Sequence, residues 1–284
     1  MEKGILQNLV LFTSSYNALE YLKLFLASWR LYAHQYKMIV VDDASSDGSM
    51  EYLCSLQDDQ LTCVFFDNNQ GQSSVYNTAI DVAKSKLDAD YICLQNEDFV
   101  FGPLWDQDLN KYETDLEKGN FVRMNLASPC PPGCCPVSFY DAGVHPDNFS
   151  LDRWREFCLD PYTLDVRIHE EDNRLAAPYI FSSKYTSLYQ YDTAYNGGGF
   201  MDSDLRFKIW LLTGHTGILL KPNLCFHFSG ASSDKVKAQG LWIEHEDTFR
   251  NKWGIDIGLA TDCFNGKSAL TPDLMVACRK RAQQ

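Results

Sequence analysis

Four groups of side chains in this chain are equipped to bind, ligate or move protons. Asp42 and Asp43 close the apolar run Ile39-Val-Val41 and open the small-residue loop Ala44-Ser-Ser-Asp-Gly48. Carboxylates at the end of a buried strand lie where open α/β sheets bind ligands, and they can accept hydrogen bonds from a nucleobase N–H or a ribose hydroxyl. Asn96-Glu97-Asp98 follows a second apolar run, and consecutive carboxylates supply hard oxygen ligands for Mg²⁺ or Mn²⁺. Asp202 and Asp204 follow the flexible Gly197-Gly-Gly199, placed to take a proton from an incoming hydroxyl. His227, between Phe226 and Phe228, adds an imidazole ligand. Singly, each has a structural alternative: a turn aspartate, a solvated acidic loop, a helix cap, a packed histidine. Their joint occurrence is what carries information.

The elements that must position these groups are legible from periodicity. Leu9 to Phe12, Met38 to Val41, Thr62 to Phe66 and Tyr91 to Leu94 read as strands. Asn17 is placed to cap a helix with Leu19, Leu22, Leu26 and Trp29 on one face; Asp47 is placed to cap another. A third helix from about Ser73 buries Val75, Ala79, Val82 and Ala83. This alternation predicts a mostly parallel sheet with helices on both faces. Further on, Pro103 starts a predicted helix carrying Trp105, Leu109, Tyr112 and Leu116 that Gly119 stops. Phe121 to Leu126 and Gly217 to Leu220 are expected strands, Phe226 to Ser229 follows, and a helix runs from Asp204. Residues 127–200 are expected to be long loops and short helices, and the last fifty residues a helical arm. Residues 1–230 thus form one domain, with a ligand-binding half (1–100) and a second half (101–230), and 231–284 an extension.

Composition narrows the function classes. A net charge of −13 and a pI near 4.8 weigh against a nucleic-acid partner, since phosphate neutralisation needs a basic face. No apolar run reaches the ~18 residues needed to span a bilayer. The apolar stretch Ile5 to Phe12, interrupted by Gln7 and Asn8, reads as the first strand and not as a signal peptide. Cys54, Cys63, Cys93 and Cys225 sit in apolar segments, which suggests buried reduced thiols and a cytoplasmic setting. Cys130, Cys134 and Cys135 match no standard zinc spacing.

In order along the chain, these motifs resemble the family 2 glycosyltransferases, which have the GT-A fold. Ser14-Ser-Tyr-Asn17 is similar to the family's first-strand signature, and Val41-Asp-Asp-Ala-Ser-Ser-Asp-Gly48 to its Val-Asp-Asp-Gly-Ser-x-Asp-Gly. Asn69-Gln-Gly71 with Asn77 reproduces its Asn-x-Gly-x₅-Asn spacing, and Asn96-Glu97-Asp98 stands at its metal motif. Phe200-Met-Asp-Ser-Asp-Leu205 resembles its Glu-Asp-x-Asp-Leu base motif, with Met201 where Glu is common. His227-Phe-Ser-Gly-Ala-Ser232 and Lys252-Trp-Gly254 complete the set, and Ala44 replaces a common glycine.

The resemblance implies an inverting, metal-dependent transferase. It would move a hexosyl or deoxyhexosyl group from a UDP, GDP or dTDP donor to a hydroxyl of a glycan, glycoconjugate or glycoprotein. It places Ser14, Tyr16, Asn17, Asp43, Asn77 and Glu97 at the nucleotide sugar, Asp98 and His227 on Mn²⁺ or Mg²⁺, and Asp202 or Asp204 as the base, with Asp204 the alternative helix cap. A nucleotidyltransferase is disfavoured because Thr13 to Glu20 has no Gly, Lys or Arg for a phosphate loop; a non-catalytic carbohydrate binder on the same scaffold is the other alternative. Tyr179, Tyr185, Tyr189, Tyr191 and Tyr195 suit either sugar stacking or packing. Arg279-Lys-Arg281 reads as a solvated tail with at most marginal attraction to a membrane surface, and the aromatic C-terminal arm either clamps the core or pairs subunits.

Overall fold

The computed structural model describes residues 6–129, 138–160, 175, 177–195, 200–215, 217–228 and 241–283. The strands are β1 (Leu9–Ser15), β2 (Lys37–Asp42), β3 (Leu61–Phe65), β4 (Tyr91–Gln95), β5 (Phe99–Phe101), β6 (Val122–Ser128), β7 (Ser138–Phe139), β8 (Tyr179–Ser182) and β9 (Ile218–His227). They form one sheet ordered β3-β2-β1-β4-β8-β6-β9-β5, with β7 beside β6. The strands β3, β2, β1 and β4 are mutually parallel, so their carboxyl ends all face one edge. That edge carries Ser14, Asp42, Asp43 and the 96–98 tripeptide.

Helices α1 (Leu19–Tyr32), α2 (Ser49–Ser55) and α3 (Gln72–Ser85) link the parallel strands. Leu22, Phe25, Leu26 and Trp29 of α1 are buried, as are Val75, Ala79, Val82 and Ala83 of α3. The 3.6-residue apolar period therefore does set which face each helix turns to the sheet. Asn17 does not cap α1. Its backbone is left-handed (φ 50°), and its side-chain oxygen accepts from the Ser46 N–H at 2.8 Å, while the α1 N–H of Leu19 is satisfied by Asp47 at 2.8 Å. The loops after β1 and β2 are thus laced together.

Three expectations fail beyond Asp98. The helix predicted from Pro103 to Gly119 is broken into turns, a 3₁₀ segment (Leu109–Tyr112) and α4 (Glu113–Glu117). Leu104 and Asp108 adopt φ of 65° and 63°, which no helix accommodates, while Trp105 is pulled into the core with its indole N–H on Tyr32 O at 3.0 Å. Tertiary anchoring overrides the local period here. Second, the 127–200 region holds an expected short helix, α5 (Leu151–Leu159), but also the strands β7 and β8, and β8 inserts antiparallel between β4 and β6 in the middle of the sheet. Third, the two pieces expected around 217–229 are one ten-residue strand, β9, whose pairing with β6 shifts register between Arg123 and Asn125.

Helix α6 (Met201–Thr213) starts three residues earlier than expected, so Asp202 and Asp204 both lie in its first turn and Phe200 is the N-cap. Helices α7 (Leu241–Trp253), α8 (Ile257–Phe264) and α9 (Pro272–Ala282) follow. Phe249, Trp253, Phe264 and Cys278 join the main core, and Trp253 meets Phe207 of α6 edge-on at 5.0 Å. The arm is a clamp on α6. Arg279, Lys280 and Arg281 are exposed, as expected of a solvated end, but they sit on a helix tied to the clamp: the Arg279 guanidinium donates to Leu211 O at 3.1 Å, and Arg281 lies against Gly254.

Tyr179, Tyr189, Tyr191 and Tyr195 are all buried core residues, with Tyr189 stacked on Phe181 at 4.1 Å. Their rings are packed within the core instead of lying open at the surface. The described cysteines are free thiols: Cys93, Cys158, Cys225, Cys263 and Cys278 are buried, whereas Cys54 is exposed, contrary to expectation. Cys130, Cys134, Cys135, Gly197–Gly199 and Ser229–Ser232 lie outside the described residues. Among the described residues no helix is long and apolar enough to cross a membrane.

Candidate active site

β5 and β9 are the elements that bring the sequence-distant groups together. Antiparallel pairing sets Phe99 opposite His227, and the Phe228 N–H donates to Asp98 O at 3.1 Å. His227 Nε2 therefore comes to 3.3 Å from Asp98 Oδ2, with its ring stacked on Phe99 at 4.5 Å. The short strand is itself held from below: the buried Ser28 hydroxyl of α1 accepts the Phe101 N–H at 3.0 Å. Asp98 is 6% exposed, and its Oδ1 is buried with no hydrogen-bond partner among the described residues. An orphaned buried carboxylate oxygen is costly, on the order of 1–3 kcal/mol, unless something else coordinates it. A divalent cation fits that donor set of one hard oxygen and one imidazole. Among the described residues no three His, Cys, Asp or Glu side chains converge, so a cation held here would need further ligands from elsewhere.

The other side of the edge is built from β1, β2 and their loops. Ser14 Oγ donates to Glu97 Oε2 at 3.1 Å, joining the end of β1 to the acidic tripeptide. Tyr16 is 46% exposed at the same edge, free to meet a flat ring. Asp42 is turned inward and accepts from Ser45 N–H at 2.8 Å and Ser45 O–H at 2.7 Å. Asp43 accepts the N–H of Gln70 at 2.6 Å and of Gly71 at 3.0 Å. Burial pushes the Asp43 carboxyl up, against the pull of those two N–H groups. Asn77 uses both ends of its amide on the Tyr191 backbone, at 2.7 and 2.9 Å. Asn17, Asp43 and Asn77 thus each hold a loop or strand end, and Ser14, Tyr16 and Glu97 lie nearest the open edge.

The two α6 aspartates have different surroundings. Asp204 is 1% exposed and accepts from Tyr195 O–H at 3.1 Å, Lys252 Nζ at 2.7 Å and Trp253 Nε1 at 2.6 Å. Lys252 also reaches Asp192 at 2.6 Å. Burial pushes the Asp204 carboxyl up and the Lys252 and Trp253 donors pull it back. It is an anchor for the arm. Asp202, one helical step away, is only partly covered and, among the described residues, takes a single side-chain hydrogen bond, from Tyr191 O–H at 3.2 Å. Burial raises its carboxyl to about 7, against the Tyr191 hydrogen bond and the Arg123 charge. A carboxylate poised there is suited to general-base work near neutral pH.

Tyr76 connects the two halves: its hydroxyl donates to Asn96 Oδ1, its ring meets Tyr191 edge-on at 5.2 Å, and the charges of Asp202 and Glu97 both act on it. Periodicity marked no role for Tyr21, Tyr76, Arg123 or Tyr191. Tyr21 faces the Asp98 side, its phenol raised by burial and then by the charges of Asp98 and Asp147. These residues carry no local motif and become functional neighbours only through sheet order.

A parallel half, an antiparallel insertion and an acidic cluster at the strand ends define a GT-A fold. Residues 11–122 match the family model Glycosyl transferase family 2. The crystal structure of S. aureus TarS 1-349 superposes with a TM-score of 0.59 at 11% identity, covering 98% of this chain and 71% of that one. The same protein in complex with UDP-GlcNAc gives 0.56 at 13% identity, covering 97% and 72%. Mannosyltransferase PcManGT from Pyrobaculum calidifontis, in complex with GDP-Man and Mn²⁺, gives 0.50 at 13%, covering 96% and 68%. At these identities the likeness concerns the fold. No curated protein matches the chain by sequence.

Proposed function

We propose that the protein is an inverting, metal-dependent glycosyltransferase using a nucleotide-diphosphate sugar and a hydroxyl acceptor on a glycan, glycoconjugate or glycoprotein. The observation that carries this reading is the Asp98–His227 pair, with a buried oxygen unpartnered among the described residues, at the edge where Ser14 and Glu97 meet. A divalent cation bound there would neutralise the departing diphosphate. Asp98 and His227 would hold it, while Ser14, Tyr16 and Glu97 face the nucleoside. Asp202 takes the acceptor hydroxyl proton as its oxygen attacks the anomeric carbon from the side opposite the diphosphate, and the bond to the diphosphate oxygen breaks. One displacement of this kind inverts the anomeric centre. The TarS complex with UDP-GlcNAc and the PcManGT complex with GDP-Man and Mn²⁺ support a nucleotide-sugar donor and a divalent cation.

The test is thermal unfolding with Mn²⁺, with UDP, and with both. Together they raise the melting temperature more than the sum of the separate shifts, because each completes the other's site. Asp98→Ala abolishes the joint effect. No joint stabilisation with UDP, GDP or dTDP, in Mn²⁺ or Mg²⁺, would refute the donor site; a panel of nucleotide sugars assayed for hydrolysis then names the donor.

A further inference from the structure

The buried network beneath Asp202 is more elaborate than packing requires. Tyr191 O–H donates to Asp202 Oδ1 at 3.2 Å, and the Tyr179 and Tyr191 hydroxyls are 2.7 Å apart. When Asp202 is ionised and takes the Tyr191 proton, Tyr179 is the donor in that second contact, which makes a chain of hydroxyls polarised toward the carboxylate. Tyr179 lies on β8 in register with Arg123 of β6, and both strands are central in the sheet. The chain therefore starts from the middle of the sheet.

Tyr191 is fixed a second way. It lies outside regular secondary structure, yet Asn77 of α3 brackets its backbone, accepting its N–H at 2.7 Å and donating to its C=O at 2.9 Å. This is the pairing one strand gives another, supplied by a single amide side chain. Tyr76, one residue before Asn77, packs edge-on against the Tyr191 ring at 5.2 Å and reaches Asn96 through its hydroxyl. One turn of α3 thus sets both the Tyr191 side chain and the acidic tripeptide at residues 96–98.

We propose that Tyr191, bracketed by Asn77 and backed by Tyr179, is the positioning residue that orients the Asp202 carboxylate for proton removal. The inference rests on Asp202 being the base. Asn77 is then not a nucleotide contact: its conformation-setting bond to Tyr191 reaches the reaction through Asp202. The groups facing Asp202 are Tyr191, Tyr179 of β8, Tyr76 of α3 and Arg123 of β6. Of these, Tyr191 and Arg123 favour the ionised carboxylate, and Tyr191 alone does so through a hydrogen bond.

The experiment uses the full chain with carbon-13 at the aspartate carboxyls, the Asp202 signal being identified by its loss in Asp202→Asn. Titration by NMR follows that signal in wild type, Tyr191→Phe, Tyr179→Phe and Asn77→Ala. Tyr191→Phe keeps the ring and removes the donor, so the Asp202 midpoint moves up by about one pH unit. Tyr179→Phe and Asn77→Ala move it the same way by less, which keeps the test decisive if Tyr191→Phe folds poorly. In parallel, donor hydrolysis on the best nucleotide sugar of the panel loses about tenfold in kcat for Tyr191→Phe, with its acid limb shifted upward and the Mn²⁺-dependent affinity for UDP unchanged. A midpoint that stays put in all three variants overturns the inference, as does a fall in kcat with an unmoved limb. Failure of the underlying reading looks different: Asp202→Asn would then turn over donor as fast as wild type.

Discussion

Replacing Asp204 by alanine separates the two α6 aspartates and tests what the C-terminal arm does. The side chain is 1% exposed and receives three donors, from Tyr195, Lys252 and Trp253. Truncation leaves the Tyr195 hydroxyl and the Trp253 indole N–H without an acceptor inside the core. It also strips Lys252 of one of two carboxylates, although Asp192 at 2.6 Å still holds the ammonium. Breaking a buried pair by removing one partner costs about 3–5 kcal/mol. Because Lys252 keeps Asp192, the lower part of that range applies, and the bonds share one carboxylate, so their losses do not add. A cost of about 3 kcal/mol translates into a melting temperature lower by roughly 6–12 °C for a chain of this size. The assay is thermal unfolding followed by circular dichroism, with Lys252→Met alone and the double variant completing a cycle. A coupling above ~1 kcal/mol is expected, since the two side chains touch. Below its melting temperature the Asp204 variant still turns over donor, whereas Asp202→Asn does not. An Asp204→Ala protein that melts within about 2 °C of wild type would refute the anchoring argument.

Two further outcomes follow from the same geometry. The Asp202 carboxyl is raised to about 7 in the folded protein, above its unfolded value, so its contribution to stability is complete below the ordinary carboxylate range and is lost as pH rises through about 7. Asp202→Asn therefore gains stability relative to wild type between about pH 5 and about pH 8, read as the difference in melting temperature; an unchanged difference would contradict the raised carboxyl. Ala44 adopts φ 62° where the resembling motif has glycine, a conformation that costs an L-residue roughly 1–2 kcal/mol. Ala44→Gly relieves it while loosening the unfolded chain by ~0.4–1 kcal/mol, so a net gain of about 1 kcal/mol in urea unfolding is expected.

The sequence by itself determined the parallel half. From β1 to β4 the apolar runs are short, the helices carry a clean 3.6-residue stripe, and each connection is local, so neighbouring residues dictate both element and burial. The acidic groups Asp42-Asp43 and Glu97-Asp98 follow directly, because the end of a strand is a sequence-local property. Asp98 and His227 could be named, but their 3.3 Å approach comes from β5 pairing antiparallel with β9 across more than a hundred residues, a choice of sheet order that no local pattern encodes.

Beyond Asp98 the sequence still marked the strand from Phe121, the helix at Asp204 and the helical arm, and the tertiary structure decided the rest. Trp105 and the left-handed Leu104 and Asp108 broke a periodic helix because core anchoring outweighed propensity. Strand β8, four residues long within an irregular stretch, became central because β4 and β6 each had an unpaired edge. The roles of Asp202 and Asp204 diverged for the same kind of reason. Two positions two residues apart on a helix point in different directions, so one met Lys252 and Trp253 from the arm and the other met Tyr191. Their types are identical in the chain; their partners, and so their chemistry, exist only once helix and arm are packed.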